Sequence, residues 1–385
     1  TQGVSSAASD VYKRQGLGTA LIGLCAIVFF SCEPFVNEFS DLSDAQMYTS
    51  SNITPVSVKN HPIVMTWNIR FGAARFPFFG DSCGDSVILT EDQVDSNMDK
   101  IVAKIQEIDP DIIMLQEVDI LSKRSGYIDQ VQYLLDNTSM NYGCYASVWQ
   151  ADYIAFEGTG RIDMGNAILS KYELSDAERI QLRLRTDQSD LVRYFYLRRN
   201  ILKVKISELD LYAINIHATA FATDDTKKKH IDKYIDVLSE INTAGNWFVS
   251  GGDLNSLPPG ASVTDYCEYD MCSGEYFHID GQEPYHKEGS YFDNFPGEPE
   301  ILQPLYDSYV PAIGTLENND PGSFTHAPST SDGIHGSHHR FDRKLDYLFT
   351  NLSEGWVPGT DSTYQSLWEL SDHMPVVAAL NMGAR

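Results

Sequence analysis

Apolar residues recur along this chain in two rhythms. Short apolar or alternating runs predict strands at Ile63–Ile69, Ile112–Gln116, Tyr142–Trp149, Asn166–Leu169, Ile180–Leu184, Tyr194–Ile206, Leu209–His217, Trp247–Asp253, Leu345–Thr350 and Pro375–Leu380. Helical spacing appears at Met98, Ile101, Val102, Ile105 and Ile108, and again at Ile231, Tyr234, Ile235, Leu238 and Ile241. A shorter helix is expected around Ile128–Leu135. Many strands with few helices between them point to an α+β sandwich rather than a doubly wound parallel sheet. Residues 256–340 break both rhythms; rich in Pro, Gly, Tyr, Asp and His, they read as an irregular insertion shaping a cleft within one domain spanning 61–385.

The first sixty residues follow other rules. Lys13 and Arg14 precede an apolar run from Gly16 to Phe30, then Ser31 and Cys32. The run suits a signal peptide and is too short to span a bilayer. A small residue before Cys32 resembles a bacterial lipoprotein signal. Residues 1–31 are therefore expected to be a leader, with its first residues set aside as non-native in appearance. Cys32 is expected to carry a lipid that anchors an exported protein to a membrane, periplasmic or at the cell surface; a plain secretory signal and an uncleaved anchor are the alternatives. Residues 32–60, polar and rich in Ser, Asn and Thr, read as a tether. Beyond the leader stand Cys83, Cys144, Cys267 and Cys272; their spacing fits no zinc knuckle, and the nearest couple, Cys267 with Cys272, suits a local disulfide.

Composition narrows the function. With 42% hydrophobic and 11% aromatic residues, the 385-residue chain can build a sizeable core. Its formal net charge of -26, from 54 acidic and 28 basic residues, argues against tight non-specific binding to nucleic acid, which needs a basic footprint. An acidic surface that recruits divalent cations is the physical alternative.

Polar groups then gather at the ends of the apolar runs. Asn68 lies in Thr66-Trp67-Asn68-Ile69-Arg70, Glu117 follows Ile112–Gln116, and His217 closes Asn215-Ile216-His217. Asp253 and Asn255 follow two glycines in Ser250-Gly251-Gly252-Asp253-Leu254-Asn255, where alternation would turn both to one side. Asp346 follows Arg343-Lys344-Leu345, and Asp372 and His373 precede Met374-Pro375. Singly, each has an ordinary reading: a solvated strand end, a structural histidine, a surface ion pair of Asp346 with Arg343 or Lys344, a turn at Asp372. Collectively they are hard oxygen and imidazole groups, suited to Mg²⁺, Mn²⁺ or Ca²⁺ and to moving the proton of a water.

This ordered set resembles the endonuclease/exonuclease/phosphatase superfamily, which includes pancreatic-type deoxyribonuclease, abasic-site endonucleases, bacterial sphingomyelinases and inositol polyphosphate phosphatases. The resemblance runs from about Val64 to Leu380. It is sharpest at Gly252-Asp253-Leu254-Asn255, Leu345-Asp346-Tyr347-Leu348-Phe349 and Ser371-Asp372-His373-Met374-Pro375-Val376, with support from Gly165-Asn166-Ala167-Ile168-Leu169-Ser170. It implies a four-layer α/β/β/α sandwich of two packed, mostly antiparallel sheets flanked by helices. It further implies metal-site roles for Asn68, Glu117 and Asp372, phosphate contacts from His217 and Asn255, and a water-orienting or basic Asp253. His373, held by Asp346, is implied as an acid/base or phosphate-binding group. Arg199 and Asn166 are implied substrate contacts, although Arg198 could take the place of Arg199.

The expected activity is metal-dependent hydrolysis of a phosphodiester or phosphomonoester by activated water, on a small molecule, nucleic acid or lipid head group; no protein partner is inferred. A secreted nuclease, a sphingomyelinase-like enzyme with Tyr285, Tyr291, Phe292 and Phe295 facing lipid, and a catalytically silent binding lipoprotein are the alternatives. Ser256-Leu257-Pro258-Pro259 lacks the Tyr-Arg continuation of inositol polyphosphate 5-phosphatases, and Phe341-Asp342-Arg343-Lys344 lacks their Trp-Cys-Asp-Arg. His335, His338 and His339 read as loop residues.

Overall fold

The computed structural model describes residues 36–79, 84–155, 158–220, 222, 224–261, 297–328 and 341–383. Cys32, Cys83, Cys267, Cys272, the four loop aromatics and the three loop histidines lie outside these residues. In chain order the strands are β1 (Leu42–Asp44), β2 (Gln46–Thr49), β3 (Ile63–Asn68), β4 (Ile112–Asp119), β5 (Tyr142–Ile154), β6 (Gly160–Ser170) and β7 (Leu174–Gln181). They continue with β8 (Asn200–Ile206), β9 (Leu211–His217), β10 (Trp247–Asp253), β11 (Val310–Pro311), β12 (Asp346–Thr350), β13 (Ser362–Thr363) and β14 (Val376–Ala379). The α-helices are α1 (Glu91–Ile108), α2 (Gln130–Asn137), α3 (Asp190–Phe195), α4 (Thr226–Thr243) and α5 (Gln303–Ser308).

The strands form two seven-stranded sheets, ordered β13-β14-β3-β4-β6-β5-β2 and β1-β7-β8-β9-β10-β12-β11. Only β3/β4 and β9/β10 pair in parallel among them. Alternation along each strand splits its side chains between two cores. Val64, Ile112, Met114, Val204, Ala213, Val249 and Leu348 meet between the sheets. Their chain neighbours Met65, Trp67, Ile113 and Leu115 pack outward on Met98, Ile101 and Ile105 of α1 and on Leu134 of α2. On the far side Ile214, Ile216, Phe248 and Phe349 pack on Ile231, Tyr234 and Leu238 of α4. Each such Ile or Leu, fully buried, is worth about 1.5–3 kcal/mol against exposure. The result is the expected four-layer sandwich. Thr90 starts α1 with a capping box, accepting from Gln93 N while Gln93 reaches back to Thr90 N.

Three expectations change. The segment read as a tether is woven into the domain: β1 pairs with β7 and β2 with β5, Tyr48 is buried, and Phe39 lies under the Arg179 guanidinium at 3.9 Å. Edge pairing satisfies backbone groups whatever the side chains, so polar composition did not reveal it. Tyr194 and Phe195 belong to α3 rather than to a strand, because Ser189 caps that turn by accepting from Val192 N; β8 starts only at Asn200. Finally, the described stretch 297–328 of the insertion carries α5 and β11 and buries Leu302, Leu305 and Tyr309 beneath the second sheet.

Candidate active site

The two sheets share one end where apolar positions on their facing sides give way to polar ones. Asn68 on β3 lies on the same side as Val64 and Thr66, and Gln116 on β4 on the same side as Met114. On the opposite sheet Asp253 is in register with His217 on β9 and Asp346 on β12. Beneath this layer Gln116 Nε2 donates to Asn215 Oδ1 at 2.7 Å and to Thr66 Oγ1 at 3.2 Å, tying the sheets together.

Two local irregularities complete the approach. Glu117 would face the helices if β4 ran regularly, but the register against β6 shifts between Leu115 and Val118 and Glu117 takes φ 53°. That bulge turns the carboxylate toward the site. Gly252 has φ 137°, and a Cβ there would come within 1.9 Å of Ile216 O, so only glycine lets β9 and β10 close up before Asp253. Glu117 thus sits within β4 rather than at its end. Asn255 lies beyond β10 rather than on the same strand face as Asp253. Its proximity comes from a turn: Asn255 N donates to Asp253 Oδ1 at 2.9 Å and its Nδ2 to Ala218 O at 3.1 Å.

Two groups of side chains result. The inner group is buried: His373 Nδ1 and Asp346 Oδ2 share a hydrogen bond of 2.8 Å, while Asp253 Oδ2 lies 3.7 Å from His373 Nε2 and 3.3 Å from His217 Nε2. Asp253 and Asp346 expose 1% and 0% of their side chains. The outer pair opens to solvent, with Glu117 at 26% and Asp372 at 21%. Asn68 joins the groups, its Nδ2 donating at 3.3 Å both to Glu117 Oε1 and to Asp253 Oδ2 while its Oδ1 accepts from Arg70 N. In this arrangement the Asn68 amide ties the Glu117 carboxylate to Asp253. Arg199 is the arginine beside the site, donating to His217 O at 3.2 Å; Arg198 instead pairs with Glu38. Asn166 is fully buried, donates to Asn200, and among the described residues has no hydrogen bond to the inner group.

Electrostatics separate the groups further. Burial raises Asp253 to about 7, helped by Asp346 and opposed by His373. Burial and then the nearby Asp372 raise Glu117. Burial also acts on Asp372, but Arg70, His373 and His326 outweigh it and hold its carboxyl down at about 2. Burial and the Arg199 guanidinium keep His217 neutral, far below its ordinary value. At His373 burial favours the neutral ring, yet Asp346 and Asp253 overcome it and keep the imidazole protonated.

The structure adds residues that the sequence reading passed over. His326 Nδ1 pairs with Asp342 Oδ1 at 2.8 Å, Arg343 clamps the other oxygen of Asp342 at 2.7 Å, and the His326 ring stands edge-on to His373 at 5.4 Å. Thr325 Oγ1 accepts from the backbone N–H of both Leu345 and Asp346. Ser371 Oγ donates to Asn68 O at 2.7 Å and accepts from His373 N at 3.1 Å. The only hint in sequence was an Asp–His pairing of the Asp346–His373 kind, here split between an apparent loop and the stretch before β12.

The donor set fits a hard divalent cation. Glu117 and Asp372 are repelling carboxylates at the open end, and oxygen ligands are what Mg²⁺, Mn²⁺ and Ca²⁺ take. Asp253, Asp346 and His373 also bring one potential ligand atom each within 4.8 Å of one another. There Asp346 Oδ2 and His373 Nδ1 are already joined by a hydrogen bond, while Asp346 Oδ1 is buried without a hydrogen-bond partner among the described residues.

The fold is similar to that of an endonuclease/exonuclease/phosphatase from Beutenbergia cavernae DSM 12333, at TM-score 0.52 and 20% identity over 85% of this chain and 72% of that one. It is also similar to the human Nocturnin catalytic domain with bound sulfate (TM-score 0.48, 14% identity, 87% and 96% covered). An AP endonuclease from Archaeoglobus fulgidus is a further match (TM-score 0.46, 15% identity, 83% and 99% covered). No curated protein sequence matches the chain. The model of the Endonuclease/Exonuclease/phosphatase family matches residues 65–373, from the strand that carries Asn68 through His373 itself, and the chain belongs to that family.

Proposed function

We propose that this chain is a divalent-metal-dependent phosphoesterase that hydrolyses a phosphodiester or phosphomonoester with an activated water. The observation that carries this reading is the buried line Asp346–His373–Asp253, with His217 on its other side and two open carboxylates above it. Asp253, raised to about 7, is poised to accept the proton of the attacking water. His373, kept cationic by Asp346, donates to a phosphoryl oxygen and offsets the charge that builds there. Neutral His217 and the Asn255 amide hold the phosphate, and Arg199 fixes the end of β9 behind His217. Glu117, supported by Asn68, and Asp372 would hold the cation, which would polarise the phosphoryl oxygen and stabilise the leaving alkoxide.

Purified protein with Mg²⁺ or Mn²⁺ should hydrolyse a bis-aryl phosphate. Asp253→Ala and His373→Ala should each lose on the order of a thousandfold in rate while keeping a cooperative thermal transition. Full activity in both variants sinks the assignment. The reading extends to location: the apolar run before Ser31-Cys32 supports export and lipid attachment at Cys32. Metabolic labelling with a fatty acid should mark the wild type and not Cys32→Ser; equal labelling excludes that anchor.

A further inference from the structure

One cavity is not used by this chemistry. It has a volume of about 460 Å³ and lies between residues 73–77 and the first two turns of α1, lined among others by Arg75, Phe76, Leu89, Asp92, Ser96 and Asn97. Its inner wall is the loop that follows Asn68. Arg70, Phe71, Gly72 and Ala74 all take positive φ there, so the loop is held in a conformation that the chain would not adopt on its own. Polar ties fix it from three sides. Arg70 donates to Ala74 O and Phe76 O, Asn97 to Gly72 O, and Arg75 to Ala327 O and Pro328 O.

The same loop reaches the proposed metal site. Arg70 Nε stands 3.5 Å from Asp372 Oδ2, and both Arg70 and Arg75 act on the charge of Asp372. Arg70 thus joins the loop that lines the cavity to the open end of the active site. A cavity so joined is where the part of an ester that does not react would sit.

We propose that this cavity binds the alcohol portion of the substrate, and that this portion is a neutral, hydroxyl-bearing ring of the sugar or nucleoside class. The inference rests on the phosphoesterase reading above. Lining chemistry selects the class. Phe76 and Leu89 offer an apolar face for a ring, while Asp92, Ser96 and Asn97 offer acceptors and donors for hydroxyls. An acyl chain would bury those polar groups against hydrocarbon at a cost. A polyphosphate or a long polynucleotide would bring several negative charges to a wall whose one cation among the described lining residues is Arg75 and which also carries Asp92, on a chain of net charge -26. A singly esterified phosphate on a neutral ring meets neither penalty.

The test compares glucose 1-phosphate, adenosine 5′-monophosphate, a single-stranded oligonucleotide, inositol hexakisphosphate and bis(4-nitrophenyl) phosphate on the full chain with Mg²⁺. The two ring esters should be the better substrates, and their ratio identifies whether sugar or nucleoside fills the cavity. Ser96→Trp fills the space from an exposed helix position, and Asp92→Ala removes a hydroxyl acceptor. Each should raise KM for the ring esters by about tenfold with kcat nearly constant; Asp92→Ala should leave the aryl ester, which has no hydroxyl, nearly unchanged, whereas Ser96→Trp should raise its KM as well. Preference for the oligonucleotide or the hexakisphosphate overturns the proposal, as does an unchanged KM in both variants. Loss of activity on every ester, the aryl one included, instead overturns the underlying assignment.

Discussion

The inner and outer carboxylates of this site are chemically alike and physically opposed. Asp253 and Asp346 are sealed between the sheets and bonded to imidazoles; Glu117 and Asp372 lie at the mouth, about a quarter and a fifth exposed. Burial drives Asp253 to about 7, whereas Arg70 and two imidazoles bring Asp372 to about 2. One position suits taking a proton near neutral pH, and the other a permanent charge that a cation can use. Depth and neighbours, rather than residue type, divide the labour.

The sharpest way to break this division is to ask which group holds the metal. Mn²⁺ titration followed by paramagnetic relaxation should show Glu117→Gln and Asp372→Asn weakening binding by about 10–100-fold, while His373→Ala leaves it little changed. The reverse pattern would assign the ion to Asp253, Asp346 and His373, whose potential ligand atoms lie within 4.8 Å of one another.

Stability against pH, measured without metal, should divide the two groups by sign. The Asp253 carboxyl is raised in the fold, so its contribution is complete below about pH 4 and is lost as pH rises through about 7. Asp253→Asn should match the wild type near pH 4 and exceed it near pH 8, by on the order of a few kcal/mol. The Asp372 carboxyl is depressed, so its contribution is complete above about pH 4 and is lost as pH falls through about 2. Asp372→Asn should therefore be the less stable protein at pH 8, with the gap closing toward pH 2. Thermal melts across this range would show parallel curves if the two environments were equivalent.

The smallest effect concerns the second Asp–His couple. His326→Phe keeps an aromatic ring against His373 but loses the bond to Asp342, which retains Arg343. A loss of about fivefold in kcat at constant KM is expected, the worth of one buried hydrogen bond transmitted through His373. Unchanged kcat would limit His326 to packing.

Much of this site could be read along the chain because its residues stand at strand ends. His217, Asp253 and Asp346 each close or open an apolar run, and alternation alone brings them to the facing sides of the sandwich. Other features escaped for definite reasons. Glu117 was named through the resemblance, but the bulge that turns it into the site is a property of the β4–β6 pairing rather than of Gln116-Glu117-Val118. His326 and Asp342 meet across sixteen positions through backbone bridges of His326 with Arg343 and with His373. The edge strands β1 and β2 carry no strong apolar pattern, because their pairing partners supply most of what holds them.

By itself the amino-acid order determined the central strands, the two long helices and the identity of most groups that could do chemistry, because side-chain periodicity and strand ends are local properties. Only the tertiary structure decided which carboxylate is buried and which is open, that the Asn68 nitrogen rather than its oxygen faces Glu117, and that Asn166 turns to Asn200. Those outcomes depend on desolvation and on partners brought from distant strands, and neither exists until the two sheets close on each other.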